Sequence, residues 1–329
     1  MQCPRLDHFV RFNPNGTVSR CGHMVAAPEF HNLLAMENSA WLSNIREQVR
    51  PRECVRCHET ELLGQDSVRI HAIRFHQQQT RPDYLVVGGV LDNVCNSACQ
   101  FCSDQLSTKI GSLRGRSYPI INNSDKFWNL PLDRVVHLDI NGGEPSASPN
   151  YRKLLKSLPD NVASIRINTN CGIVIDELEN ITARGVKVTL TVSFDGVGAV
   201  HDYVRWPIDW RRFENNLDHY KTMSGININY WTTINALNIG DLDNIFDYMD
   251  RTSGNHSWAF LHTPEVLSVK YQNYFTVAAK NKLTHPRSQS LLDLVAVDKD
   301  NTAELEQFLQ QQDKLRNIDH KDYYAEIFC

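Results

Sequence analysis

A chain of 329 residues, 41% hydrophobic and 22% charged, carries enough apolar side chain to bury a sizeable core as one large α/β domain or two ordinary ones. Its formal charge of −4 supplies no broad basic field, which makes a nucleic-acid partner unlikely on electrostatic grounds, and no apolar run approaches the ~20 residues of a membrane span. The opening MQCPRLDHFVRFN has no apolar leader core, so a cytoplasmic protein is expected.

Residues 1–80 are loop-rich around FNPNGTVSRCG, with one helix expected near NSAWLSNIREQV. They hold Cys3, Cys21, Cys54 and Cys57 in a segment too small for a rich core of its own, which a metal staple would suit. From Tyr84 onward, six β-rich runs (YLVVGGVL, VVHLDI, SIRINT, VKVTLTVS, ININYWTTI and SWAFLH) alternate with helical stretches. The helical ones are NYRKLLKSL, IDELENITARG, DWRRFENNLDHYKTM and DLDNIFDYMDRTSG, with Gly185, Gly225 and Gly254 placed where helices stop. This order predicts an α/β fold: a parallel sheet of six βα units forming an open or partial barrel, with its site at the C-terminal ends of the strands. After about Pro264 the tail is polar and helical at NTAELEQFLQQQDKL. The expected division is therefore 1–80, a barrel over 81–265, and a helical extension over 266–329.

Nine cysteines include two groups, Cys3/Cys21/Cys54/Cys57 and Cys95/Cys99/Cys102, with Cys171 and Cys329 alone. In a reducing compartment such grouping points to metal or iron–sulfur ligation before disulfides. The stretch NVCNSACQFCSD follows the first strand of the βα series, which puts three thiols at the mouth of the sheet. Three thiolates can hold three irons of a [4Fe–4S] cluster and leave the fourth open to an external ligand. A zinc loop borrowing a distant Cys or His, or three ordinary thiols, is the plainer alternative.

CNSACQFC, with Phe101 directly before the last cysteine, resembles the C-x3-C-x2-C signature of the radical SAM superfamily. That resemblance implies a partial (β/α)6 TIM-like barrel in which Cys95, Cys99 and Cys102 hold a [4Fe–4S] cluster. S-adenosylmethionine would chelate its open iron, and reductive cleavage would yield a 5′-deoxyadenosyl radical that takes hydrogen from substrate. LDINGGEPSASPN resembles the family's GGE motif at Gly142, Gly143 and Glu144, which implies cofactor binding, the glycines letting backbone approach and the carboxylate accepting from the methionyl ammonium. TVSFDGVGAVHDYVR resembles an S-x-D-G…H-D-x-x-R segment of the peptide-modifying branch: Ser193 and Arg205 are implied to contact the methionyl carboxylate or ribose, and Asp195 to shape the loop. Asn168 and Asn170 in RINTN are further candidates for ribose or substrate contacts. The family's GxIxGxxE element is not evident in ININYWTTINALNIG.

The spacing of Cys3, Gly16 and Cys21, followed by the pair Cys54 and Cys57, resembles the SPASM/twitch auxiliary-cluster module, here preceding the barrel rather than following it. The resemblance implies a second [4Fe–4S] cluster on a β-hairpin, ligated by those four cysteines, closed to substrate and serving as an electron relay. The N-terminal piece is then expected to fold back toward the barrel mouth. A four-cysteine zinc ribbon uses the same knuckle, and His23 and His58 stand beside it. Cys171 could meet substrate or be a buried thiol, Cys329 is expected as a plain terminal thiol, and Tyr203, Trp206 and Trp210 could line a pocket or pack in the core. Three functions compete: a radical SAM enzyme on a peptide or protein side chain, served by an electron donor such as flavodoxin or ferredoxin; the same chemistry on a nucleotide or small metabolite; and a non-catalytic zinc-binding adaptor.

Overall fold

The computed structural model describes residues 3–62, 64–115, 121–252, 254–295 and 299–328; Cys329 lies outside them. The sheet strands are β1 (Phe9–Phe12), β2 (Val18–Ser19), β3 (Leu85–Val90), β4 (Val135–Asn141), β5 (Ser164–Thr169), β6 (Lys187–Ser193), β7 (Ile226–Ile234) and β8 (Asn255–Phe260). They form one eight-stranded sheet in the order β2-β1-β3-β4-β5-β6-β7-β8, parallel except for the β1/β2 pair. All six strands expected from Tyr84 onward are present within a residue or two. No helix among the described residues is long and apolar enough to cross a membrane.

The two additional strands come from the N-terminal segment. β1 and β2 make a hairpin whose turn carries Gly16 at φ +82, where a side chain would be strained. β1 then pairs in parallel with β3, Arg11 opposite Gly88, so this segment extends the sheet. FVRF is only four residues long, too few to show a period in the sequence.

Period-2 alternation divides the sheet into two unlike faces. Leu138 and Ile140, Ile165 and Ile167, and Val188, Leu190 and Val192 are buried on the outer face. Covering helices meet them: Pro149–Lys156 buries Tyr151, Leu154 and Leu155, and Trp210–Thr222 buries Phe213, Leu217 and Tyr220. The inner face carries His137, Asp139, Asn141, Arg166, Thr189 and Asn229 around a cavity of about 760 Å³. A barrel core filled with branched apolar layers is the usual arrangement; here the interior is a polar hollow.

His201 is buried in the core, its ring centroid 4.5 Å from that of Phe213 and 5.4 Å from Trp210, with no hydrogen-bond partner on either nitrogen. Burial depresses its pKa to about 3, with the Arg205 charge adding to the effect. A histidine held neutral in the fold binds its proton more tightly when unfolded. Its stability contribution is therefore present above the ordinary pKa of 6.5 and is lost as pH falls toward 3. Urea unfolding at pH 7 and pH 5 is expected to show wild type losing about 2 kcal/mol more than His201→Phe, at about 1.4 kcal/mol per pH unit below 6.5. Equal losses would show that His201 titrates normally.

Candidate functional site at the two ends of the barrel

At the C-terminal edge of the sheet the chain leaves β3 into the three-cysteine loop and leaves β4 into Gly142–Gly143–Glu144. The two turns touch. A Cβ on Gly143 would lie 2.4 Å from the Val94 carbonyl oxygen and one on Gly142 2.5 Å from Val90 Cγ2, and both glycines have positive φ. Glu144 N donates to Val94 O at 2.7 Å, joining the turns directly.

The Glu144 carboxylate is buried and accepts from Ser146 N (3.1 Å), Ser146 Oγ (2.7 Å), Thr169 Oγ1 (2.7 Å) and Asn170 N (2.6 Å). Three of these donors meet at Oε1 and one at Oε2, so Oε2 keeps acceptor capacity. Burial raises its pKa, and these donors oppose the rise. Glu144 therefore organises the edge from within. Asn170 carries the tie onward, its side-chain amide donating to Asn96 Oδ1 at 2.9 Å inside the cysteine loop.

The β6 edge contributes a second tie. Asp195 is fully buried and accepts Arg205 Nε at 2.6 Å, Arg205 Nη2, and Thr233 N at 2.6 Å. Arg205 also donates from Nη1 to Cys99 Sγ at 3.5 Å and lies 5.2 Å over the Phe101 ring. Burial works against its charge, yet the Asp195 carboxylate and the Cys99 sulfur hold the Arg205 pKa above its ordinary value. Ser193, half-buried, closes β6 opposite Trp231, and Asn168 is exposed on the inner side of β5.

Burial pushes the Cys102 thiol up to about 12, with Cys99 adding to it, and also raises Cys95. Like-charged thiolates crowded at one edge need a cation to balance them. Cys171, by contrast, is wholly buried on the helix side, and Trp210 is packed among Phe194, Phe213 and Tyr248. Tyr203 is buried too, and its hydroxyl donates to Asp313 at 2.8 Å. Trp206 is half-buried near the loop, with Lys109 Nζ 5.7 Å over its ring.

Cys3, Cys21, Cys54 and Cys57 line one small pocket with Arg5, His23 and Arg69. Cys3 precedes β1, Cys21 follows β2, and the other two enter the helix Val55–Leu62. Burial pushes Cys3 up to about 11, and pushes Cys54 up to about 12 with the neighbouring cysteines adding to it. The location corrects the expectation of docking at the mouth. His8, five residues after Cys3, bonds through Nδ1 to Tyr84 O at 3.0 Å at the start of β3, so this pocket sits at the N-terminal edge of the sheet. Six residues of β3 place it roughly 20 Å from the three-cysteine loop. The reason is the parallel β1/β3 pairing, which sends the chain before β1 to the edge where β3 begins.

Two features of the site have no motif. The alternation in SIRINT and VKVTLTVS could have signalled the polar hollow, because a sheet covered on both faces reads as a continuous apolar run. Arg316, in the helix Thr302–Arg316, is buried and donates to Ala98 O from Nε at 2.9 Å and from Nη2 at 2.8 Å. Together with Ala98 N to Trp206 O (2.7 Å) and Gln100 N to Val204 O (3.0 Å), it holds the cysteine loop from behind.

No protein-family model matches the sequence, and no curated protein matches it. Solved structures similar to it include anSMEcpe with bound AdoMet, 15% identical over 71% of this chain with a TM-score of 0.44. This chain spans 62% of the length of that one. SuiB of Streptococcus suis bound to precursor peptide SuiA is 14% identical over 95% of this chain and 70% of its own, with a TM-score of 0.42. TYW1 with a lysine-pyruvate adduct bound is 15% identical over 61% of this chain and 70% of its own, with a TM-score of 0.35.

Replacing Arg316 by Met should loosen the cysteine loop without touching a sulfur. Losing charge-assisted bonds worth about 1.5–3 kcal/mol predicts roughly ten- to hundredfold faster amide hydrogen exchange at residues 98–102. Unchanged exchange there would remove Arg316 from the support of the loop.

Proposed function

We propose that this chain is a radical SAM enzyme acting on a peptide or protein side chain, with residues 1–80 serving as a twitch-like auxiliary module and residues 266–329 as a supporting extension. The observation that carries the reading is the meeting of the C-x3-C-x2-C loop, the GGE turn and the Asp195–Arg205 pair at one edge of a parallel sheet, with the turn and the pair each bonded to the loop. The sequence spacings of the two cysteine groups, through the resemblances they carry, favour clusters over zinc.

With S-adenosylmethionine at the three-cysteine loop, such a cluster supplies a 5′-deoxyadenosyl radical that removes hydrogen from substrate. The chain's own residues do the positioning. Cys95, Cys99 and Cys102 provide three thiolates, Arg205 and the Phe101 ring flank Cys99, and Gly142 and Gly143 let backbone approach the loop. Ser193 and Asn168 present polar groups at the rim for the cofactor or substrate, while Glu144 and Asn170 keep the rim in register. At the far edge four thiolates leave no iron vacant, which suits electron relay with a flavodoxin- or ferredoxin-type donor.

Anaerobic reconstitution should give two [4Fe–4S] clusters, with a visible band near ~400 nm. Reduced protein should then release 5′-deoxyadenosine slowly from S-adenosylmethionine even without substrate. Replacing Cys95, Cys99 and Cys102 with Ala should remove about half the iron and all of that product; unchanged iron, or stoichiometric zinc in a colourless protein, sinks the assignment. Replacing Cys54 and Cys57 with Ala should leave 5′-deoxyadenosine formation largely intact and abolish turnover of the true substrate. Normal turnover in that variant would make the four-cysteine site purely structural.

A further inference from the structure

One row of residues crosses the inner face in register: Arg11 opposite Gly88, Gly88 opposite Asp139, Asp139 opposite Arg166, and Arg166 opposite Thr189. Gly88 brings its neighbours close, since a Cβ there would lie 3.0 Å from Asp139 O. Asp139 and Arg166 satisfy each other by a forked pair, Nε to Oδ1 at 2.9 Å and Nη2 to Oδ2. Arg11 has no such partner: Nη1 donates to the neutral Asn13 Oδ1 at 3.0 Å, and no carboxylate ion-pairs with it among the described residues. Gly22 keeps room for it, because a Cβ there would lie 2.9 Å from Arg11 Cζ.

Arg5 shares this wall but is turned elsewhere, donating to Cys21 Sγ at 3.3 Å and lying 4.0 Å over the Phe9 ring. Setting Arg5 aside with Cys21 and Arg166 with Asp139, Arg11 is the arginine of the lining without an ion-pair partner among the described residues. Burial holds His137 neutral, lowering its pKa to about 4. Arg5, His23 and Val68 line both this cavity and the four-cysteine pocket. Both arginines line the hollow; Arg5 is bonded to Cys21 Sγ, whereas Arg11 has Cys21 and Glu29 only as more distant charge partners.

We infer that the hollow seats its ligand by an oxyanion, a carboxylate or a phosphate, held at Arg11 on the wall shared with the four-cysteine pocket. This rests on the proposed function only in taking the hollow as the substrate chamber. A guanidinium fork matches both oxyanions in two parallel hydrogen bonds. His137, Thr189 and Asn229 offer neutral donors and acceptors for the rest of the ligand, and about 760 Å³ holds a small molecule or a few peptide residues rather than a folded domain.

Calorimetry on the anaerobically reconstituted full chain, without reductant, tests this with three probes: N-acetylglutamate α-amide, its neutral isostere N-acetylglutamine α-amide, and inorganic phosphate. An oxyanion probe should bind about tenfold tighter than the neutral amide, Arg11→Gln should erase that preference, and Arg11→Lys, which keeps the charge but loses the fork, should reduce it. Preference for the glutamate probe assigns a carboxylate ligand, and preference for phosphate a phosphorylated one. If Arg11→Gln does not fold, Arg11→Lys decides. Absence of oxyanion binding, equal binding of charged and neutral probes, or a preference unchanged in these variants overturns the inference. Iron content and 5′-deoxyadenosine formation by the wild-type chain report separately on the proposed reaction. A protein that passes those and shows no oxyanion preference sinks this inference alone; a colourless chain that still prefers the oxyanion sinks that reading alone.

Discussion

Everything at the C-terminal edge depends on how closely the turn after β4 approaches the loop after β3. With Gly143 against the Val94 carbonyl and Glu144 N bonded to it, the first residues of the cysteine loop inherit the position of a strand end. From there the ties run outward: Glu144 to Thr169 and Asn170, Asn170 to Asn96, and Arg205 from Asp195 to Cys99. A loop of eight residues with three thiols would otherwise be a mobile segment. Here the backbone of Cys95 is held by Thr108 and that of Cys99 by Arg316, and Cys102 N closes back onto Cys99 O.

Two gatherings of sulfur at opposite edges give the sheet a shared electrostatic problem. Buried thiols resist ionisation, and ionised neighbours resist each other, so each group needs compensating positive charge. The chain supplies part of it locally, Arg205 at Cys99 and Arg5 at Cys21. Between the edges, the polar inner face replaces the branched apolar layers that fill an ordinary barrel, and stability is carried by the outer face under its helices.

The strands from Leu85 to Phe260 were legible because each is long enough to show a period and is bounded by a helical stretch or a turn. The three-cysteine loop and the GGE turn were legible as compact motifs. What escaped depended on distance along the chain. β1 is four residues long and finds its partner β3 more than seventy residues later. Which edge the four cysteines occupy follows from the parallel sense of that pairing, which no local pattern encodes. Arg316 directly follows NTAELEQFLQQQDKL, the stretch read as helical, and nothing local marks it as the side chain that points inward. Glu144 and Arg205 were identifiable as residues of the site, but their bonds to Ser146, Thr169, Asn170, Asp195 and Cys99 appear only in three dimensions.

The bond from Arg316 to Ala98 spans 218 residues. At ribosomal speeds of about 5–20 residues per second, the cysteine loop emerges roughly 10–40 s before its support exists. During that interval the strands around it can pair, but the backs of Ala98 and Cys99 still face water or a chaperone. Cofactor loading that required the finished loop would therefore be a post-translational event, with the helix Thr302–Arg316 acting as the latch on a pocket whose walls were laid down first.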